Sequence, residues 1–163
     1  MFEIKSLTDK TYIIAEIGQA HEGSLGIAHS YIDAVSKSGV DCIKFQTHFA
    51  DHESSSKDTF RVKRKYQQDV DRKAYWKRME FKNEEWVGLK EHCDNNKIDF
   101  LSTPFSEKAF EMLDNLNIDF WKIASGEVTN FPMIEKIAKT NKPILVSSGL
   151  SSFEELDDTV NLI

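Results

Sequence analysis

Phe120-Trp121-Lys122-Ile123-Ala124-Ser125-Gly126-Glu127 reads as a short buried strand with a lysine inside it and a Ser-Gly-Glu cluster where it ends. An ammonium group among apolar side chains is costly unless something anionic meets it. In a parallel α/β fold the carboxyl end of such a strand is where ligands bind. Four other segments share the layout of an apolar run closing in polar residues: 12–21, 42–48, 100–105 and 144–149. Strands that all place polar chemistry at one end describe the rim of a single site.

Segments with helical spacing lie between these strands. Residues 25–38 put Ile27, Tyr31, Ile32 and Val35 on one face, with Gly39 expected as the C-terminal cap. A second helix begins near Asn83, with Asn83-Glu84-Glu85 as capping residue and acidic first turn and Trp86, Leu89 and Cys93 as its apolar stripe. Ser106 caps a third helix, residues 132–139 form a fourth with Pro132 in its first turn, and Ser152-Phe153-Glu154-Glu155 opens a fifth. Near-continuous apolar strands alternating with helices predict a parallel sheet buried on both faces.

A doubly wound open sheet and an eight-stranded barrel both satisfy that pattern. No Gly-x-Gly-x-x-Gly turn follows the first strand, and polar ends occur on every strand rather than at one switch point. Both observations favour an α/β fold of the (β/α)8 TIM-barrel type, whose loops all face one site. Only about the first five β/α units fit in 163 residues. Residues 1–163 are therefore expected to be the N-terminal portion of a longer barrel.

The formal net charge of −6 argues against a broad nucleic-acid surface. Cys42 and Cys93 have no CxxC partner and read as reduced thiols. No apolar run approaches the ~20 residues that span a bilayer, and no signal peptide is visible in residues 1–10, so a cytoplasmic protein without membrane partners is expected. Residues 50–80 form a charged insertion after the second strand, unusually long for such a connection. It reads either as a lid over the ligand site or as a solvated excursion with a short helix near 72–79.

Strand alternation decides which side chains can meet. Glu16, Lys44, Gln46 and Lys122 share the face toward the barrel axis, and Thr103 and Ser147 join them; Ile43, Phe45, Trp121 and Ile123 face the helices. Two lysines, a glutamate, a glutamine and hydroxyls in one cavity make a receptor for phosphate and carboxylate. His21 is a possible substrate contact, whereas His29, His48, His52 and His92 read as ordinary histidines. Ser147-Ser148-Gly149 has the make-up of a phosphate-binding turn.

Ala15-Glu16-Ile17-Gly18-x-x-His21-x-Gly23, Lys44-Phe45-Gln46, Ser102-Thr103-Pro104-Phe105, Lys122-Ile123-Ala124-Ser125-Gly126-Glu127 and Ser147-Ser148-Gly149, in that order, resemble the sialic acid synthases. That family condenses phosphoenolpyruvate with N-acetylmannosamine or a related N-acetylated hexosamine. The resemblance implies that Lys44, Thr103, Lys122, Ser125 and Ser147 hold phosphoenolpyruvate, and that Glu16, Gln46 and Glu127 lie near the sugar and the reacting carbons. It implies a divalent metal (Mn2+ or Mg2+) that polarises the sugar aldehyde, with histidine ligands on later strands outside this chain. It also implies a homodimer in which a C-terminal antifreeze-like domain, absent from these residues, completes the sugar site. One departure is Ala20, where the family carries asparagine. Two other readings remain: a half-barrel that keeps a phosphate site without activity, and another phosphoenolpyruvate or pyruvate lyase using Lys122 as a Schiff base.

Overall fold

The computed structural model describes residues 11–55, 57–60, 62, 65 and 67–163. The order is β1 (Ile14–Gly18), α1 (Leu25–Ser36), β2 (Cys42–Thr47), α2 (Ala50–Glu53), α3 (Arg72–Met79), α4 (Asn83–Asn95), β3 (Asp99–Pro104), α5 (Glu107–Asn115), β4 (Trp121–Ile123), α6 (Phe131–Ala138), β5 (Ile144–Val146) and α7 (Phe153–Leu162). Strands β1, β2 and β3 form one parallel ladder and β4 and β5 another, with β3 beside β4. The described strands thus follow chain order without a reversal. A doubly wound sheet has a reversal at its switch point; a barrel wall does not.

The strands separate two kinds of interior. On the helix side Ile43, Phe45, Phe100, Trp121 and Ile123 pack with Ile32, Trp86, Leu89, Leu113, Ile134 and Ile137 in one buried cluster. On the other side Cys42, Leu101 and Phe120 form a second cluster, against which Tyr12, Ile14 and Leu145 pack. Cys42, Leu101 and Phe120 lie two residues before Lys44, Thr103 and Lys122 on their strands, so the inner face is apolar low down and polar at its carboxyl end. The Tyr12 hydroxyl donates to Asp99 Oδ2 at 2.5 Å at the base of the wall. Cys42 and Cys93 are buried free thiols.

Helix starts follow the expected chemistry with one exception. Ser24, Ser106 and Ser152 accept from the backbone N–H three residues on. Asn83, however, is the first helical residue rather than the cap of α4; Glu85 accepts from the Lys82 N–H at 2.6 Å and closes that end. Gly39, with φ 82°, lies beyond the actual C-cap of α1, which is Lys37. It begins a recurring device: Lys97, Asn117 and Asn141, between a helix and the next strand, also have positive φ, from 51° to 57°. Each reverses the chain in a left-handed residue, the conformation that asparagine tolerates better than most.

The described part of the insertion from Asp69 onward docks against the loop after β1. The expected short helix is α3, capped by Asp71 accepting from the Ala74 N–H at 2.7 Å. Met79 and Phe81 are buried. Arg78 makes a forked pair with Asp69, Nε to Oδ1 at 3.0 Å and Nη2 to Oδ2 at 2.8 Å, and donates from Nη1 to the Glu22 carbonyl at 2.9 Å. Helix α2 was not foreseen, since its N-cap Phe49 makes no capping bond; it is tied to the insertion by the Ala50 N–H donating to Glu80 Oε1 at 2.7 Å. At Gly23, with φ 77°, a Cβ would stand 2.0 Å from the Arg78 carbonyl oxygen. Gly23→Ala is therefore expected to lower unfolding free energy by roughly 2–4 kcal/mol. Gly88→Ala, with open space around its helical position, should raise it by about 0.5–1 kcal/mol; urea denaturation reads both.

Candidate functional site

The carboxyl end of the inner face carries two lysines with different partners. Lys44, its side chain 11% exposed, is ion-paired with Glu16 Oε2, the residue opposite it in the β1–β2 ladder, and donates to Thr103 Oγ1 at 3.4 Å. Lys122 donates to the Ile123 carbonyl at 2.7 Å and to Ser147 Oγ. Both of those partners are neutral oxygens. Burial first and the Lys44 charge second, with Glu16 acting in the opposite sense, push the Lys122 ammonium down to about 8. The pair therefore presents two cations and one nearby carboxylate, an arrangement that an anion would complete.

Ser125 lies in the turn after β4, where its carbonyl accepts from Ser151 Oγ at 3.5 Å. Glu127, in the same turn, accepts from Asn130 Nδ2 at 2.9 Å. Burial pushes the Glu127 carboxyl above the usual carboxylate range, the Asn130 bond opposes this, and the Glu53 charge adds to it. Gln46 and Glu127 line a cavity of about 690 Å³ with His48, Glu53, Trp76 and Asn130. The lysines, Thr103 and Ser147 do not line that cavity. The expected site residues thus fall into two groups, a cation cluster on the inner face and a roomier chamber bounded by α2, α3 and the β4 turn.

His21 does not belong to either group. It is fully buried, tilted against Phe81 at a ring distance of 4.6 Å, and its Nδ1 accepts from the Gly23 N–H at 3.1 Å. Burial pushes it down to about 4, so the ring is neutral with its proton on Nε2. The structure thus places His21, expected as a substrate contact, in the core behind the strand ends. His48, read as ordinary, is a wall of the chamber together with Glu53. The signal was available: His48 continues the alternation of Lys44 and Gln46 on the inward face. Ala20 sits exposed in the turn after β1.

Among the described residues no three of His, Cys, Asp and Glu converge to hold a metal ion. No described helix is long and apolar enough to cross a membrane.

Residues 31–163 match the model of the NeuB family. The chain is 34% identical over 162 residues to N-acetylneuraminate-9-phosphate synthase of Drosophila melanogaster, covering 94% of this chain and 42% of that protein. It is 35% identical over 159 residues to N,N'-diacetyllegionaminic acid synthase of Campylobacter jejuni, covering 94% and 47%. Among solved structures, N-acetylneuraminic acid (sialic acid) synthetase from Leptospira borgpetersenii in complex with citrate superposes with a TM-score of 0.77 at 27% identity, over 93% of this chain and 49% of that one. The chain spans under half the length of the curated relatives it matches. By its matched residues and its fold, the chain belongs to the NeuB family.

Proposed function

We propose that the whole protein condenses phosphoenolpyruvate with an N-acetylated hexosamine, giving a nine-carbon 2-keto acid of the sialic acid type, and that these residues form part of an eight-stranded barrel. The observation that carries this reading is the unequal pairing of the two inward lysines. Glu16 offsets Lys44, while among the described residues Lys122 meets only hydroxyl and carbonyl oxygens. A ligand with phosphate and carboxylate on adjacent atoms suits the remaining charge, with Thr103, Ser125 and Ser147 supplying hydroxyls. The chamber beside it, lined by Gln46 and Glu127, takes the sugar.

In the reaction carbon 3 of phosphoenolpyruvate forms a bond to the sugar's aldehyde carbon. The aldehyde oxygen takes a proton from Glu127, whose raised carboxyl suits it as the acid. Carbon 2, now electron-deficient, is attacked by water, which gives a proton to Glu16. The adduct collapses as the new carbon 2 hydroxyl passes its proton to the departing phosphate and the bond between carbon 2 and the phosphate oxygen breaks, releasing phosphate and the 2-keto acid. Manganese or magnesium belongs to the same reading, with ligands outside this chain, as does a homodimer. A second reading draws on Lys122 itself, since a lysine pushed down to about 8 beside another cation suits Schiff-base chemistry; trapping with pyruvate and borohydride separates the two.

Five outcomes test the proposal. Incubation of the whole protein with phosphoenolpyruvate, manganese and a panel of N-acetylated hexosamines should release phosphate with one of them, and no product with any sinks the reading. Calorimetry should show phosphoenolpyruvate binding lost in Lys44→Ala. In the parent protein affinity should fall as pH rises through about 8, where Lys122 loses its charge, by up to about tenfold per pH unit; the ligand's phosphate is already ionised above pH about 6. Lys122→Met should bind weakly and without that pH dependence. Glu127→Gln should keep phosphoenolpyruvate affinity and lose roughly 10²–10⁴ in kcat.

A further inference from the structure

Building on the proposed reaction, we infer that Glu53 and His48 are positioning residues, holding the side-chain amide of Gln46 so that its nitrogen faces a hydroxyl of the acceptor sugar. His48 stands at the carboxyl end of β2, two residues beyond Gln46 and almost fully buried. Its ring lies between Trp76 of α3, 3.8 Å away at 12°, and Phe105 after β3, 4.2 Å away at 18°. Flat rings on both faces leave the imidazole free only within its own plane. Two hydrogen bonds remove that freedom: Nδ1 lies 2.8 Å from Glu53 Oε1, and Nε2 lies 3.3 Å from Gln46 Oε1.

The chemistry of the partners sets the direction of this chain. The Glu53 side chain is 8% exposed and its second oxygen has no partner among the described residues. As a carboxylate it only accepts, so Nδ1 donates to it. At the far nitrogen Gln46 Oε1 can only accept, so Nε2 donates as well; a ring that donates from both nitrogens is the imidazolium, and this form turns the Gln46 NH2 away from the ring. That NH2 lies 3.4 Å from the point where a Cβ on Gly18 would stand, and Glu16 Oε1 lies 3.2 Å from the same point. Glu16 uses its other oxygen for Lys44. An amide donor and a carboxylate acceptor therefore border one small space, left open because residue 18 has no side chain. A sugar hydroxyl, which donates and accepts at once, matches that pair. The insertion thereby contributes through Trp76, which holds the ring that holds the amide.

The test uses the whole protein with 15N-labelled glutamine side chains and the variant His48→Phe, which keeps a flat ring between Trp76 and Phe105 but forms neither bond. The amide pair of Gln46, identified by its disappearance in Gln46→Met, should shift and exchange faster in H48F and in Glu53→Gln. The acceptor KM should rise roughly tenfold while phosphoenolpyruvate affinity stays within about twofold, and H48F should add nothing to KM in the Q46M background. An unmoved amide pair overturns the inference, as does a KM effect that persists in Q46M or a parallel loss of phosphoenolpyruvate affinity. Should H48F fail to fold, E53Q reads the same resonance with the ring intact. The resonance requires no turnover, so failure of the proposed reaction and failure of the positioning chain register separately.

Discussion

Two ammonium groups on the inner faces of two adjoining parallel ladders share, among the described residues, a single adjacent carboxylate, and the layout of the site follows from that shortage. Lys44 takes Glu16 as its partner and is nearly buried; Lys122 is left with the Ile123 carbonyl and the Ser147 hydroxyl. Desolvation and the neighbouring charge both disfavour its protonated form, which is why it is pushed down to about 8. Pure stability would favour an apolar residue there, since removing charge from water is rarely repaid by pairing. The arrangement makes sense as a receptor in which the missing negative charge arrives with the ligand.

The wall beneath the lysines allows this by dividing its labour along the strand. Cys42, Leu101 and Phe120 fill the lower inner layer, and the polar residues begin one inward step higher. On the opposite face Ile43, Phe45, Trp121 and Ile123 anchor the same strands against the helices. A lysine on such a strand cannot be turned outward without turning its apolar neighbours inward, because successive side chains alternate. Rigid placement of the two cations is a consequence of core packing on the other side.

The insertion supplies what the strands cannot. Its Arg78 fork with Asp69 and its contact with the loop after β1 bring α3 against the strand ends, where Trp76 stacks on His48. The backbone of Gly23 passes too close to Arg78 for any side chain. A charged connection that looks solvated in composition thus builds one side of the chamber that Gln46 and Glu127 share.

Much of this was legible in the amino-acid order. Period-two alternation and polar strand ends identified the strands, the inward set Glu16, Lys44, Gln46, Thr103, Lys122 and Ser147, and the helix caps at Ser106 and Ser152, because these depend on neighbours within a few residues. The same local logic extended to His48, where the alternation pointed inward and was passed over. Other features rest on contacts between distant segments: the burial of His21 against Phe81, the docking of α3, the split between cation cluster and chamber, and the different electrostatic fates of Lys44 and Lys122. Residue type states what a side chain can do, but its protonation and its partner depend on what the folded chain places within a few ångströms of it. Only the tertiary structure decided those distances.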